Sequence, residues 1–377
     1  MAVSSYGTNH PLAVKVWAKR LFVEALKQTK FSRFVGNTPA SLVQRRTELA
    51  KGPGDRISIG LRMQFGQPGI LGDATLEGNE EALQTFTDNL FIDQLRHATR
   101  TGGKMSQQRV PFEIREESME GLRDWWADRL DGAFFNQIAG ATVSVVQANA
   151  TTVLDTTDTR FTGNQAAIAP DAAHLILAGQ GTVGSPPTLE ASLSATTVYN
   201  LVLNDIDRCV VKAKTLTPAI RPLKVNGEDK FVIFVHPNQT FTLRKNTNTG
   251  QYVDIQKAAM TGGQIANNPL FTGAIGEYNG TIIHEDARVP IVQGTITGDA
   301  TPTRTNYFRA IFCGAQSAGF AIGQDNRDGA MTWVEELFDY ENQLGVSAGL
   351  IFGLKKFVFN SKDFSTIVVS SWAPVIN

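Results

Sequence analysis

Residues 56–65, RISIGLRMQF, alternate without a break. Ile57, Ile59, Leu61, Met63 and Phe65 are apolar, and Ser58, Gly60, Arg62 and Gln64 between them are small or polar. Period-two alternation is the mark of a strand with one face buried. A Gly-rich stretch follows, with Gly66, Pro68, Gly69, Gly72 and Gly78, and then a second extended segment over residues 84–96. Two strands joined by about twenty residues form a long hairpin, which is marginal on its own in water. A loop of that length inside a compact domain carries function or meets another chain. The pattern therefore predicts a β-arm that projects from the body and depends on neighbours for stability.

The body is read from three further signals. Residues 113–138 form the clearest helix: Leu122, Trp126, Leu130, Phe134 and Ile138 step by four, with Trp125 and Ala133 widening the stripe. At 1.5 Å per residue it is about 40 Å long, enough to act as a spine. A second amphipathic helix is predicted over residues 196–213. Residues 231–237, FVIFVHP, are apolar enough for a central strand buried on both faces. With another strand near residues 280–284 they suggest a small α/β unit. Residues 307–322, 349–360 and 364–372 return to β character, and 141–195 read as irregular chain with short strands. An amphipathic helix over residues 11–29, with Val14, Trp17, Leu21 and Ala25 on one side, precedes everything. A lone terminal helix must bury that stripe against something, and another chain is the natural partner.

Charge is unevenly spread. The 377 residues sum to −1, yet residues 1–51 hold nine bases against Glu24 and Glu48, a net of +7, which leaves −8 for residues 52–377. A basic arm on an acidic body implies an acidic partner or docking on a neighbour's body. With 42% hydrophobic and 19% charged residues the chain is not disordered. No run of eighteen apolar residues is present, so none of it spans a membrane as a helix, and the start MAVSSYGTNH has no signal-peptide pattern.

Catalytic motifs fail on context. Gly345-Val346-Ser347-Ala348-Gly349 fits the GxSxG nucleophile elbow, which needs a helix after the serine and a histidine later in the chain. Here a strand-like LIFGLKKFVF follows, and the last histidine, His284, lies upstream; the alternative reading is a Gly-rich turn leading into a strand. Gly102-Gly103-Lys104 lacks both the earlier glycine, where Ala98 stands, and the hydroxyl residue, where Met105 stands, of a phosphate loop. His284-Glu285 is not a zinc motif, because Arg288 occupies the second histidine position. Cys209 and Cys313 are isolated, as are the five histidines, so neither a zinc site nor a disulfide framework is expected. No catalytic, metal-binding or cofactor-binding residue is assigned, and no nucleic-acid module is present.

The order of elements, a basic helical arm, projecting hairpin, spine helix, α/β unit and returning strands, resembles the Hong Kong 97 fold of tailed-phage major capsid proteins. Several stretches are similar to the subfamily named after the gp-fifty-six capsid protein of the podophage N-four. They are LFVEALKQTKFSRFVG (21–36), the run from DRISIGLRMQFGQPG to RVPFEIREESMEGLRDWWADRL (55–130), FVIFVHPNQTFTLRKN with NPLFTGAIGEYNGTIIHEDARVP (231–246 and 268–290), and TWVEELFDYENQLGVSAGLIFGLKKFVF (332–359). Residues 141–195 and 291–305 carry little of the likeness.

The resemblance implies an α+β fold with an N-terminal arm at 1–50 and an extended loop at 51–108. A peripheral domain with the spine helix spans 109–195, an axial domain 196–289, and returning peripheral strands 290–377. It implies self-assembly into hexamers and pentamers of an icosahedral head around double-stranded DNA, bound without sequence specificity. Trp17, Leu21, Ile57, Ile59, Leu61, Arg62, Met63 and Phe65 would stand at subunit interfaces. A portal and decoration proteins are further expected partners, and the virion capsid is the expected location. An encapsulin-like shell is the nearest alternative, and a hydrolase using Ser347 the alternative of another class. Two features depart from some relatives. Residues 52–103 contain no lysine, so no covalent crosslink from the loop is expected. The arm begins almost at Met1, so a scaffolding protein is expected to be a separate chain.

Overall fold

The computed structural model describes residues 29–50, 52–110, 113–141, 145–146, 153–154, 158–179, 190, 193, 199–225, 227–246, 274–292, 307–323 and 331–374. Trp17, Leu21 and nearly all of the predicted arm helix lie outside the described residues.

Strand Glu228–Val235 runs through a ten-stranded sheet, and every residue from Phe231 onward is buried. It pairs parallel with Thr281–Glu285 and antiparallel with Tyr307–Cys313, which pairs in turn with Thr366–Trp372. Strand periodicity then sorts the side chains into two cores. Val232, Phe234, Ile311 and Cys313 face the spine helix. Phe231, Ile233, Val235, Ala310, Phe312, Ile367 and Val369 face helix Leu203–Thr215. That helix starts later than the periodicity predicts, because Val202 is extended and its N–H donates to the Asp205 carboxylate at 3.2 Å. The predicted strand end is also corrected: Pro237 opens helix Pro237–Lys245. Its fixed φ suits a first helical turn, and His236 caps the helix by accepting the Asn238 N–H on Nδ1 at 3.1 Å.

The second, six-stranded sheet is built around the 14-residue strand Gln343–Lys356. Thr332–Phe338 and Asp93–Arg100 both pair antiparallel with it, over overlapping residues and on opposite edges. Ala318–Ile322 continues the first of these edges and pairs on its far side with Val43–Arg46. The GxSxG glycines are therefore interior to a strand and do not form the Gly-rich turn expected. Strands after residue 290 feed both sheets: Tyr307–Cys313 and Thr366–Trp372 go to the first, Ala318–Ile322, Thr332–Phe338 and Gln343–Lys356 to the second.

Helix Ile114–Ile138 is the spine. The stripe from Leu122 to Ile138 is buried, lying against Val346, Ala348, Leu350, Phe352 and Leu354 of the long strand. Its last turns are buried all round, including Asp131, Asn136 and Gln137, which a one-sided stripe does not predict. Asp131 is matched by Arg288 at 2.8 Å and by the Lys30 N–H at 3.0 Å. At the helix end, buried Arg309 donates to the carbonyls of Ala139 (3.2 Å) and Gly140 (2.7 Å) and pairs with Glu190 at 2.7 Å. A cation there complements the negative end of the helix dipole.

Candidate assembly surface

The predicted hairpin forms, with Arg56–Arg62 antiparallel to Thr85–Phe91 in register from Arg56↔Phe91 to Arg62↔Thr85. The second extended segment is not one strand. It breaks at Ile92, and Asp93–Arg100 leaves the hairpin for the six-stranded sheet. One segment is thus half projecting arm and half body, so the arm is rooted in the rigid sheet.

The root is charged and tightly packed. Buried Asp88, on the hairpin, takes a salt bridge from Lys355 Nζ and the backbone N–H of Val358 at 3.1 Å. Lys355 Nζ also donates to the Asn89 carbonyl at 2.8 Å. Leu90 is fully buried beside Gly319, where a Cβ would come within 2.6 Å of the Phe357 ring. Gln165 Nε2 donates to the Phe91 carbonyl at 2.8 Å, and Asn164 Nδ2 to that of Asp93 at 3.1 Å.

Support fades outward. Ile57, Ile59, Leu61 and Met63 are half-buried along one face, whereas Arg62 and Phe65 are exposed. Beyond them residues 63–84 contain no helix or strand. Phe65 is 56% exposed, Leu71 91%, Leu76 62% and Leu83 57%, so this one loop leaves four large apolar side chains in water. The tip is still shaped: the Glu81 carboxylate accepts the N–H groups of Gly66 (2.8 Å) and Gln67 (2.9 Å), which hold its pKa below the usual carboxylate range. A loop that leaves four large apolar side chains in water is a candidate for a surface that another protein covers.

Of the predicted interface residues, Ile57, Ile59, Leu61 and Met63 share one face of the arm, and Phe65 begins the tip. The structure shows Leu71, Leu76 and Leu83 exposed on the same loop, which alternation could not reveal because the tip is not a strand. It also adds Asp88 and Lys355, distant in sequence and joined only by the fold. A second apolar surface lies on Thr332–Phe338 and the turn after it, where Val334, Leu337, Phe338 and fully exposed Tyr340 face water.

The serine alternative has no geometry behind it. Ser347 Oγ donates to the Val334 carbonyl at 3.3 Å. Its cross-strand neighbour is Ala98; His97, one residue away, stacks on Trp125 of the spine helix at 4.3 Å, on the opposite face of the sheet.

Comparison with known proteins gives one answer. The sequence model of a family described as phage capsid protein matches residues 5–375. The major capsid protein of Pseudomonas phage KPP25 is 31% identical over 370 residues, covering 94% of this chain and 93% of that one. Among solved structures, the capsid of Ralstonia phage GP4 is similar with a TM-score of 0.75 and 31% identity over 100% of both chains. The Cyanophage Pam1 capsid asymmetric unit shares the fold, with a TM-score of 0.70 and 20% identity over 99% of both chains.

Proposed function

Because the chain belongs to the phage capsid protein family, we propose that it forms the hexamers and pentamers of an icosahedral head, each copy laying its extended loop across a neighbour. It is a structural protein of the virion capsid and not an enzyme. The loop carries the proposal: four large apolar side chains stand in water on a tip whose root is locked to the body by Asp88 and Lys355. A rooted arm presents such a tip at a defined place, which closed assembly by repeated identical contacts requires.

In this reading Ile57, Ile59, Leu61, Arg62, Met63 and Phe65 meet a neighbouring subunit along the arm, and Trp17 and Leu21 do so from the N-terminal segment. Residues 1–50 serve as the arm, 51–108 as the loop, 109–195 as the peripheral domain and 196–289 as the axial domain, with 290–377 returning through both sheets. Within that family, the likeness of residues 21–36, 55–130, 231–246, 268–290 and 332–359 to the subfamily of the N-four gp-fifty-six protein supports placing the chain there. A separate scaffolding protein, a portal, decoration proteins and double-stranded DNA are the partners such a head uses. A near-neutral chain suits a container, since a strongly basic wall would hold packaged DNA and resist its release.

Negative-stain microscopy with light scattering, on the expressed protein and on isolated virions, tests the reading. Closed shells or flat hexameric sheets are the expected result, and deletion of residues 67–80 should prevent them while leaving a folded subunit. A chain absent from every particle would overturn it. The missing loop lysines give a second check: shells boiled in detergent should release only the 41.0 kDa chain.

A further inference from the structure

Residues 29–34 are where the N-terminal part of the chain meets the body, and charge and ring contacts hold them there. The Lys30 N–H donates to buried Asp131 of the spine helix at 3.0 Å, and the Lys30 ammonium lies 3.0 Å from Oδ2 of buried Asp286. The other Asp286 oxygen accepts the Arg288 N–H at 2.9 Å, and the Arg288 guanidinium bridges Asp128 and Asp131. Phe34 stands edge-on to Phe234 at 5.2 Å and to His284 at 5.5 Å. Phe134 and Phe135 of the spine also pack edge-on to Phe234. His284 is thus one of the two rings on which Phe34 rests. Beyond it the chain enters the six-stranded sheet, where Val35 and Gly36 pair with Val43 and Gln44.

The held geometry opposes a charged imidazole. Burial among the rings, and then the cations Arg33 and Lys30, keep the pKa of His284 below the usual histidine value. Both cations belong to the docked segment. His236, at the end of the neighbouring strand, is buried, and Asp286 is the charge that draws a proton to it. Its Nδ1 accepts the Asn238 N–H, so the neutral ring carries its hydrogen on Nε2, which is buried without a hydrogen-bond partner. His236 and Lys30 therefore draw on one carboxylate. Departure of residues 29–34 takes Phe34 and two cations from His284 and the ammonium from Asp286, which raises the proton affinity of both imidazoles. Linkage is reciprocal, so protons must favour the departure. Both groups have depressed pKa values in the docked state, so their support is present above about pH 6.5 and is lost as pH falls.

We propose that residues 29–34 form an acid-sensitive latch: proton uptake by His284 and His236 releases the segment and frees the chain before it, while the ten-stranded sheet stays folded. His284 acts by repelling Arg33 and Lys30, and His236 by competing with Lys30 for Asp286. The latch goes beyond the assembly reading and lies within one subunit, so it is tested on the unassembled protein.

Hydrogen exchange, with rates normalised to the intrinsic rate at each pH, tests it at about pH 7 and about pH 4.5. Peptides over residues 29–36 should lose protection about tenfold or more in acid, while the buried strand Tyr307–Cys313 keeps its own. His284→Phe keeps a ring against Phe34 and Phe234 and cannot take a proton. Arg33→Glu, at an exposed position, turns a charge that repels the imidazolium into one that attracts it. Each variant should protect residues 29–36 in acid about tenfold better than the parent and match it at neutral pH. Should His284→Phe fail to fold, Arg33→Glu carries the comparison alone. The inference is overturned by a parent that stays protected at residues 29–36 in acid, or opens there only together with Tyr307–Cys313. Variants that open as readily as the parent would overturn it too, and each of these results would leave the assembly reading standing.

Discussion

The carbonyl oxygen of Phe91 lies 1.8 Å from the point where a side chain at Gly353 would place its Cβ. At this contact the hairpin crosses the long strand of the body, and only a residue without a side chain lets the two backbones meet. Gly353→Ala must push the hairpin root away from the sheet. We expect a loss of about 1–3 kcal/mol in subunit stability by denaturant titration. Because the tip moves with its root, fewer shells should form even where the variant is folded. A variant as stable and as assembly-competent as the parent would show that the root is not set by this contact.

Asp88 and Lys355 make the second bond between arm and body, and both side chains are largely buried. Removing only the lysine leaves a carboxylate inside with the Val358 N–H as its remaining support from the body. Lys355→Met should therefore cost about 3–5 kcal/mol. Replacing both residues, as Asp88→Leu with Lys355→Met, should cost less than the single lysine change. The comparison is a double-mutant cycle by denaturant titration, and additive losses would argue against a coupled pair.

Legibility from sequence follows the range of the interaction. The hairpin, the spine and the double-faced strand 231–235 were readable because periodicity is local, and each lies within a few residues of its predicted place. Helix Leu203–Thr215 was displaced because its start depends on one side chain, Asp205, folding back on Val202. The Gly345–Gly349 motif was misplaced as a turn because its glycines lie on the outer face of a strand whose inner face, Val346, Ala348 and Leu350, is the core. The root pair Asp88–Lys355 and the pairing of Asp93–Arg100 with Gln343–Lys356 were invisible, since both depend on which strands meet across more than 200 residues.

Two buried groups give stability opposite pH slopes. Burial raises Asp205 to about 6, against the partial opposition of the Val202 N–H and Arg208. A folded-state pKa above the unfolded one means the folded chain binds more protons, so this group's contribution is present below about pH 4 and is lost as pH rises through 6. Burial lowers His236 to about 4, so its contribution is present above about pH 6.5 and is lost as pH falls through 4. Each window amounts to at most about 3 kcal/mol. Asp205→Asn should stabilise the subunit at pH 7 and not at pH 4. His236→Asn, which keeps a capping side chain but gives up the ring packed on Phe308 at 4.7 Å, should lower stability at pH 7 and flatten the further loss toward pH 4. Denaturant titrations of each variant at pH 4, 5.5 and 7 would read both slopes, and parallel profiles for parent and variants would refute the assignments.

The loop tip separates the stability of the subunit from the stability of the shell. Leu71 and Leu76 are 91% and 62% exposed, so Leu71→Ser and Leu76→Ser remove little that the isolated chain buries. Their effect on its denaturation should stay within about 0.5 kcal/mol. If a neighbour covers the same side chains in a shell, as proposed, each apolar side chain transferred from water contributes about 1.5–3 kcal/mol. At 1.4 kcal/mol per factor of ten, each change should raise the threshold concentration for assembly roughly 10–100-fold. Light scattering against protein concentration gives that threshold, and thermal denaturation of the unassembled protein gives the other half of the comparison. A threshold that rises while the melt stays fixed assigns these residues to the contact between copies. A melt that falls in step with assembly would place them in the subunit's own core and remove the basis for a docking tip.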